Sequence, residues 1–262
     1  MKNISFESTF KSNSFAVLYI LWLRQIKKYL RSRARMIGSL AQPLLFLTAL
    51  WLGFGPIYQQ AGAGNYLDFL VPGIIAMSIL FTGVFTGIEM IWDKQFGFLK
   101  ETLVAPASRL TIFIGRTLGG ATVALFQGII IFCVSLLLGF RPHNISMLLI
   151  TLLFMFMIGL LFTAFGTAIA SILDDMSAFP IIINFLIMPI FFLSGALFPL
   201  SGLPKTITII SSLNPLSYGV DAIRFTLTGV SHFGLGIDLL VLIAAISLMF
   251  GLGAYLFSKI EL

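Results

Sequence analysis

The sequence has little charge and almost no cysteine. Asp, Glu, Lys and Arg together make up 10% of the 262 residues, whereas soluble globular domains contain about 25%. The single cysteine, Cys133, excludes an internal disulfide framework and a cysteine-rich zinc site. The two histidines, His143 and His232, lie far apart in predicted loops, and we expect no metal site. Apolar residues reach 58%. A water-soluble fold of this length cannot bury that much apolar surface, so an integral membrane protein is predicted.

Motifs for nucleotide binding and catalysis are also missing. The chain has no Gly-x-x-x-x-Gly-Lys-Ser/Thr phosphate loop, so it is not expected to bind ATP by that route. It has no His-Glu-x-x-His, no Gly-x-Ser-x-Gly and no paired intramembrane carboxylates, which argues against an enzyme. The centres of the predicted spans lack charge, and this disfavours an ion-coupled secondary transporter, which remains the alternative.

Six stretches are long and apolar enough to cross a bilayer, which takes about 20 helical residues. They are residues 36–54, 67–89, 112–140, 147–173, 178–198 and 237–257. Backbone polar groups need internal partners in lipid, and the alternation typical of a membrane barrel is absent, so all six are predicted to be helices. The predicted fold class is all-α integral membrane, with residues 1–262 as a single transmembrane domain.

Basic residues are distributed unevenly between the predicted loops. Thirteen of the sixteen Lys and Arg residues precede the first span, lie between spans two and three or at the start of span three (Arg116), or follow the last span. The other three are Arg141, Lys205 and Arg224. Because basic loops stay on the cytoplasmic side, both termini and the loop between spans two and three are predicted to be cytoplasmic. The net charge of +6 is therefore attributed to orientation in the membrane, and no nucleic-acid partner is expected.

Residues 14–35 are predicted to form an amphipathic helix ahead of the first span. Leu18 and Trp22 share one face, whereas Arg24 and Lys28 share another. Such a helix is expected to lie along the cytoplasmic leaflet, where anionic lipids favour its basic face. The alternative is a basic leader that only sets the topology.

Two segments outside the spans are candidates for function. Residues 93–109 contain a short amphipathic helix, ended by Pro106, whose apolar face needs lipid or protein to cover it. Residues 199–224 stay apolar but are interrupted by Gly and Pro, so short re-entrant helices between spans five and six are predicted there.

Four pieces of the sequence carry a resemblance to a known family. They are Asn-Tyr-Leu-Asp-Phe-Leu-Val-Pro-Gly at 65–73, a Glu-Thr-Leu core leading to Pro-x-Ser-Arg at 98–109, a Ser-Gly-containing stretch at 191–199, and Asn-Pro-Leu-Ser-Tyr-Gly-Val-Asp-Ala-Ile-Arg at 214–224. In this order and spacing they resemble the type-2 ABC exporter permeases, most nearly the daunorubicin-resistance and nodulation-export branch. The resemblance covers about residues 15–262.

The resemblance implies a permease subunit of an ATP-driven exporter in the bacterial cytoplasmic (inner) membrane. Its substrate would be hydrophobic or lipid-linked (a drug, lipid or glycan), moved out of the cytoplasm or inner leaflet. Two copies would pack as a homodimer among membrane lipids. Each copy would bind a separate cytoplasmic ATPase subunit, which holds ATP and Mg²⁺, so this chain itself needs no cofactor. The residues that the resemblance places against the ATPase are Phe98, Leu99, Lys100, Glu101, Leu103 and Arg109.

Aromatic and small residues add two weaker expectations. A hydrophobic path for an apolar substrate is expected to be lined by four phenylalanines, Phe81, Phe85, Phe191 and Phe192. The glycines at 83 and 87 and those at 115 and 119 have the small-xxx-small spacing that lets helices pack closely. These pairs are expected to act within the chain rather than at a dimer interface.

Overall fold

The computed structural model describes residues 14–61, 64–99, 102, 107–173, 175–200 and 204–260, and all regular structure within them is helical. The helices are α1 (Ser14–Arg31), α2 (Arg33–Gln60), α3 (Tyr66–Gln95), α4 (Arg109–Leu137), α5 (Leu148–Ile172), α6 (Ala178–Phe192), α7 (Lys205–Leu213), α8 (Pro215–Thr228) and α9 (Leu235–Ser258). A 3₁₀ turn, Ile145–Met147, precedes α5, and a π-turn, Ile183–Ile187, lies within α6. The predicted all-α membrane fold is confirmed.

Among the described residues, five helices are long and apolar enough to cross a membrane, namely α2, α3, α4, α5 with its 3₁₀ turn, and α9. The fifth predicted span, residues 178–198, corresponds to α6, which ends at Phe192. At 1.5 Å per residue α6 is about 22 Å long, which is less than the roughly 30 Å of a hydrocarbon core. It is followed by turns in which Gly195 has a left-handed backbone with φ of 73°. The count of six crossings stays a prediction, with α6 as the sixth candidate.

Helix α3 forms the centre of the bundle. In its most apolar window 89% of the residues are buried, whereas α2 and α9 bury only 11% of theirs. Helices α2, α4, α5 and α8 all pack against α3. Helix α3 is thus shielded from lipid, while α2 and α9 present apolar faces that lipid or another protein must cover.

Glycines bring α3 and α5 into backbone contact. A Cβ atom added at Gly83 would lie 3.1 Å from the backbone nitrogen of Thr163. One added at Gly87 would collide with the carbonyl group of Gly166. This first small-xxx-small pair therefore acts in packing within the chain, as the sequence predicted.

The N-terminal helix is shorter than predicted and belongs to the bundle. The expected helix over residues 14–35 ends at Arg31, and Ser32 interrupts it without a side-chain capping bond. Arg33 and Arg35 lie in the first turn of α2, not in α1. The chain changes direction at this serine, a poor helix former that favours helix boundaries. We refer to this change of direction as the α1–α2 corner.

Helix α1 packs lengthwise against α4. Gly115 and Gly119 leave room for it, since a Cβ atom added at Gly119 would lie 2.7 Å from the Cβ of Gln25. At the end of α1 the hydroxyl of Tyr29 donates a hydrogen bond to Gln127, which lies beyond the midpoint of α4. Protein contacts hold α1 along much of its length, so lipid alone does not position it.

The segment between α6 and α9 contains two short helices, as predicted for residues 199–224. Asn214 lies between the two short helices, and its side-chain oxygen caps the first turn of α8. Its side-chain amide donates to the Ile190 carbonyl at 2.6 Å and so links this junction to α6. Arg224 of α8 donates to the Gly195 carbonyl at 2.8 Å. Such bonds satisfy backbone groups that the breaks release, which is the condition for irregular backbone at membrane depth. Re-entry of these helices into the membrane stays a prediction.

Contacts between connecting segments define two opposite ends of the bundle. The ammonium group of Lys94 lies 3.5 Å from the carbonyl of Leu173, and Arg109 donates to the Ile260 carbonyl at 2.5 Å. We refer to this end, where α3 ends and α4 begins, as the α3–α4 end. The backbone nitrogen of His143 donates to α8 at the other end. The α3–α4 and α5–α6 connections and the end of α9 therefore share one side of the bundle.

Candidate functional site

Six charged side chains meet near the α3–α4 end, where the first four helices come together. They are Arg24 and Lys28 of α1, Arg35 of α2, Glu89 and Asp93 of α3, and Arg116 of α4. We refer to these six residues as the charged cluster. Four are basic and two are acidic, so the cluster carries an excess of two positive charges when all are ionised. Charges inside an apolar bundle are costly, and their concentration marks a functional candidate.

Asp93 and Arg116 form the buried part of the charged cluster. The Arg116 guanidinium donates a hydrogen bond to Asp93 Oδ2, and both side chains are buried. Arg24 and Lys28 lie 3.7 and 3.8 Å from the Asp93 carboxylate oxygens. Because Asp93 lies at the end of α3 and Arg116 near the start of α4, their pair braces the two helices that flank the α3–α4 connection.

Glu89 holds the α1–α2 corner against α3. Its carboxylate forms ion pairs with Lys28, at 3.2 Å, and with Arg35. Burial lowers the pKa of Lys28 below its ordinary value, while the negative charge of Asp93 opposes that change. Lys28 and Arg35 both remain partly exposed, so their charged groups are open to a further partner.

A cavity of about 630 Å³ lies beside the charged cluster, between the α1–α2 corner and α3. This volume is within the range of roughly 300–1,000 Å³ found for small-molecule sites. Its polar lining includes Lys28, Tyr29, Ser32, Arg35, Gln42 and Glu89. Its apolar lining includes Pro43, Phe81, Phe85, Ile88 and Trp92. The charged groups gather near the corner, Gln42 lies further along α2, and the large apolar groups extend along α3.

The four phenylalanines predicted to line a substrate path form one aromatic row on α3 and α6. Ring centroids are 6.3 Å apart for Phe81 and Phe85, and 6.1 Å apart for Phe81 and Phe191. Phe192 follows at 5.5 Å from Phe191. Phe81 and Phe191 are buried, whereas Phe85 and Phe192 are partly exposed. The row therefore begins in the cavity and ends on α6, and its contact with a substrate stays a prediction.

The segment predicted to meet an ATPase is described in part. Phe98 and Leu99 are helical, but Phe98 is 52% exposed whereas Leu99 is 2% exposed and packs in the core. Arg109 is tied to the carbonyl of Ile260. The remaining members of the predicted set, Lys100, Glu101 and Leu103, lie outside the described residues. Phe98 thus presents an open apolar surface, Leu99 anchors the segment to the bundle, and the contact of this set with an ATPase stays a prediction.

Comparison with protein families accounts for the bundle that holds these features. The model of the family described as ABC-2 type transporter matches residues 16–228, from α1 to the end of α8. The chain belongs to the ABC-2 type transporter family. The charged cluster, the cavity and the aromatic row all lie within the matched residues.

Three relatives of this ABC-2 transporter agree with that assignment. The protein ycf38 of Cyanophora paradoxa, described as a transport permease, is 31% identical over 79% of this chain and 73% of its own length. The inner membrane transport permease YadH of Escherichia coli strain K12 is 26% identical over 83% of this chain and 85% of its own. Nodulation protein J of Rhizobium leguminosarum bv. trifolii is 30% identical over 80% of this chain and 78% of its own.

The resemblance read from the sequence motifs is therefore confirmed. The four motif segments, from residue 65 to residue 224, lie within the residues that match the family. This ABC-2 transporter is a multi-pass membrane protein with the role of a transport permease, and two of the three relatives carry permease names. Membership of the family implies that it works with an ABC ATPase.

Sequence reasoning missed the charged cluster of this ABC-2 transporter. It assigned the basic residues of α1 to a lipid-facing stripe, and it placed Glu89 and Arg116 at the ends of spans. Asp93 and Arg116 are 23 positions apart in the chain, so no local pattern joins them. One signal was present, because an arginine inside an otherwise apolar helix needs an acidic partner, and Asp93 is close to it across a single connection.

Proposed function

We propose that this permease is the membrane subunit of an ATP-driven exporter in the bacterial cytoplasmic membrane. It moves a hydrophobic or lipid-linked substrate out of the cytoplasm or inner leaflet. Two copies form the complex, and each copy binds a separate ATPase subunit that holds ATP and Mg²⁺. The observation that carries this proposal is the cavity with an aromatic wall, which lies near the same end of the bundle as the exposed Phe98.

The distribution of charge supports a cytoplasmic position for the α3–α4 end and for both termini. Thirteen of the sixteen Lys and Arg residues flank this end in the predicted topology, and basic segments remain in the cytoplasm. The relative YadH is named an inner membrane permease. In this orientation the cavity lies at the level of the inner leaflet, and Phe98 faces the ATPase compartment.

Coupling to an ATPase is supported by the way the α3–α4 connection is held. Leu99 packs into the core next to the exposed Phe98. The ion pair between Asp93 and Arg116 braces the two flanking helices. A displacement of Phe98 by the ATPase is therefore transmitted to α3 and α4, because the connection between them is packed against the bundle. Since α3 is central and carries part of the aromatic row, its movement changes the shape of the cavity.

The pairing of carboxylates near the cavity favours ATP over an ion gradient as the source of energy. A proton-coupled carrier needs carboxylates that gain and lose a proton within the membrane. Asp93 is bonded to Arg116, and Glu89 is paired with Lys28 and Arg35. Both carboxylates are therefore engaged by basic partners that hold the helices together, whereas a proton carrier needs a carboxylate that is free to exchange its partner.

The proposal is tested by reconstituting the permease with its ATPase and comparing two alanine variants. We expect Phe98→Ala to reduce both the ATPase retained in a mild-detergent pulldown and ATP-driven transport by about tenfold or more, as for other apolar anchors of an interface. Tyr255→Ala is the matched control, because Tyr255 is also aromatic, is 56% exposed and lies in the last turns of α9 near the same end.

Three results would contradict the proposal. One is transport that continues after ATP depletion. Another is purification of the permease with no ATPase bound. The third is an equal loss of bound ATPase in both variants, which would show that Phe98 has no specific role in the contact with the ATPase.

A further inference from the structure

The basic end of the cavity has an unbalanced charge. Lys28 and Arg35 flank the carboxylate of Glu89, and Ser32 of the α1–α2 corner also lines the cavity. Glu89 neutralises one of the two positive charges and leaves the other without a counter-charge within this trio. An anion can therefore bind between the lysine and the arginine without taking the place of the carboxylate.

The α3 side of the cavity is an apolar wall that runs past the basic groups. Phe81, Phe85, Ile88 and Trp92 recur at helical spacing and form one stripe along α3, which Pro43 of α2 helps to enclose. From the level of Glu89 to that of Phe81 the stripe rises by about 12 Å along the helix axis. A small inorganic anion gains nothing from such a wall, whereas an alkyl chain buries its apolar surface there.

We infer that this cavity binds an anionic amphiphile, with its phosphate or carboxylate between Lys28 and Arg35 and its alkyl chain along Phe81 and Phe85. The inference rests on the proposed function, since it names the substrate class of the same site. Guanidinium groups match the oxygens of phosphate and carboxylate in pairs, so Arg35 sets the orientation of the head group.

The position of the cavity in the bundle suits the same ligand. Its basic end is the end nearer the α3–α4 connection, where the head groups of the inner leaflet lie in the proposed orientation. Its aromatic wall runs from there toward the middle of the membrane, as the tail of a lipid does. A cationic amphiphile is disfavoured, because the charged cluster has an excess of two positive charges.

A tryptophan placed at Phe85 provides a direct probe of occupancy, because the tail is expected to lie there. In a Phe85→Trp variant in which all three native tryptophans, Trp22, Trp51 and Trp92, are replaced by phenylalanine, the permease contains this one tryptophan. The permease, without an ATPase, is placed in nanodiscs of neutral lipid and titrated with bromoundecyl phosphate, whose bromine quenches tryptophan fluorescence. Bromoundecyl maltoside carries the same tail and measures quenching through the bilayer alone. We expect saturable quenching by the phosphate at a concentration about tenfold below that for the maltoside. One hydrogen bond between the head group and a charged side chain accounts for a difference in affinity of this size.

Charge variants separate ligand binding from a purely structural role. Lys28→Gln and Arg35→Gln are each expected to weaken binding of bromoundecyl phosphate by about tenfold. Lys27→Gln is the matched control, because this neighbouring lysine does not line the cavity. Glu89→Gln is expected to strengthen binding by several-fold, since it releases both basic groups, whereas a purely structural role for Glu89 predicts weaker binding.

The inference is overturned if the phosphate and maltoside probes quench equally, or if the Lys28 and Lys27 variants bind alike. Displacement of bromoundecyl phosphate by an equal concentration of inorganic phosphate also overturns it, because the site would then select a free anion. Phosphate-selective binding without ATP-driven transport would remove the proposed function and retain this site. ATP-driven transport without phosphate-selective binding would overturn this inference and retain the proposed function.

Discussion

At the scale of the residue, ion pairs between helices determine how this bundle tolerates charge. Asp93 and Arg116 are buried together, and Glu89 joins side chains from α1 and α2. Removing one partner of a buried pair leaves the other charge without compensation in a medium of low dielectric constant. The pairs therefore hold the four helices in one arrangement, and loss of a single carboxylate has a large effect.

Substitution of Asp93 tests this directly. We expect Asp93→Asn to lower the free energy of unfolding by about 3–5 kcal/mol, because Arg116 then stays buried and unpaired. Denaturant titration of the purified protein in detergent micelles measures the change. Asp175→Asn is the control, since that carboxylate is exposed and, among the residues that the structure describes, bonds only its near neighbour Ser177.

A second substitution shows whether the effect comes from the stranded charge. Combining Asp93→Asn with Arg116→Met is expected to recover most of the lost stability, because the guanidinium that Asp93→Asn leaves unpaired is then absent. If Asp93→Asn were as stable as Asp175→Asn, the Asp93–Arg116 pair would not contribute to the stability of the fold.

At the scale of the element, small residues set how closely the helices approach. Gly87 lies against the backbone of α5, and Gly119 lies against the side chain of Gln25 in α1. In a membrane, helices associate by close packing rather than by burial from water, so contact distance matters more than apolar area. The position of α3 at the centre of the bundle depends on these contacts.

Adding one methyl group to α3 should reveal that dependence. We expect Gly87→Ala to destabilise the fold by about 1–3 kcal/mol, since its Cβ would meet the carbonyl group of Gly166, which cannot move aside as a side chain can. The midpoint of unfolding measures it. In Gly251→Ala of α9 no described residue lies within 4 Å of the added Cβ, and the higher helix propensity of alanine should leave stability equal or higher by up to about 1 kcal/mol. Equal midpoints for the two variants would contradict the packing argument.

At the scale of the whole molecule, the two ends of the bundle have different tasks in the proposed mechanism. The α3–α4 end carries the exposed Phe98 and the charged cluster, which the cavity adjoins. At the opposite end Arg224 of α8 donates to the Gly195 carbonyl and so ties α8 to the turn after α6. In the proposed mechanism a substrate that binds beside the charged cluster therefore contacts α3 before it reaches the opposite end.

Cysteine labelling tests the orientation on which this mechanism depends. In a Cys133→Ala background, Ser146→Cys and Ser258→Cys place single thiols at exposed positions on opposite ends of the bundle. A membrane-impermeant maleimide is expected to label position 146 in intact cells and position 258 only after the membrane is opened. The reverse pattern would place both termini outside the cytoplasm and exclude the proposed ATPase contact.

The sequence by itself determined the class of the protein and its family. Apolar content, span length and the positions of basic residues are properties of single segments, and lipid leaves a segment of about 20 apolar residues little choice but a helix. The motifs at residues 65–73 and 214–224 identified the permease family because they keep their order and spacing. The amphipathic α1 and the short helices after α6 were predicted for the same local reasons.

Only the tertiary structure decided how these segments meet. It ended α6 at Phe192, turned Leu99 into the core, and packed α1 on α4. It also brought Lys28, Arg35 and Glu89 together beside an aromatic wall. The physical reason is that each of these charges is unfavourable alone and stable only with partners from other helices, and a linear pattern does not reveal which helices are adjacent.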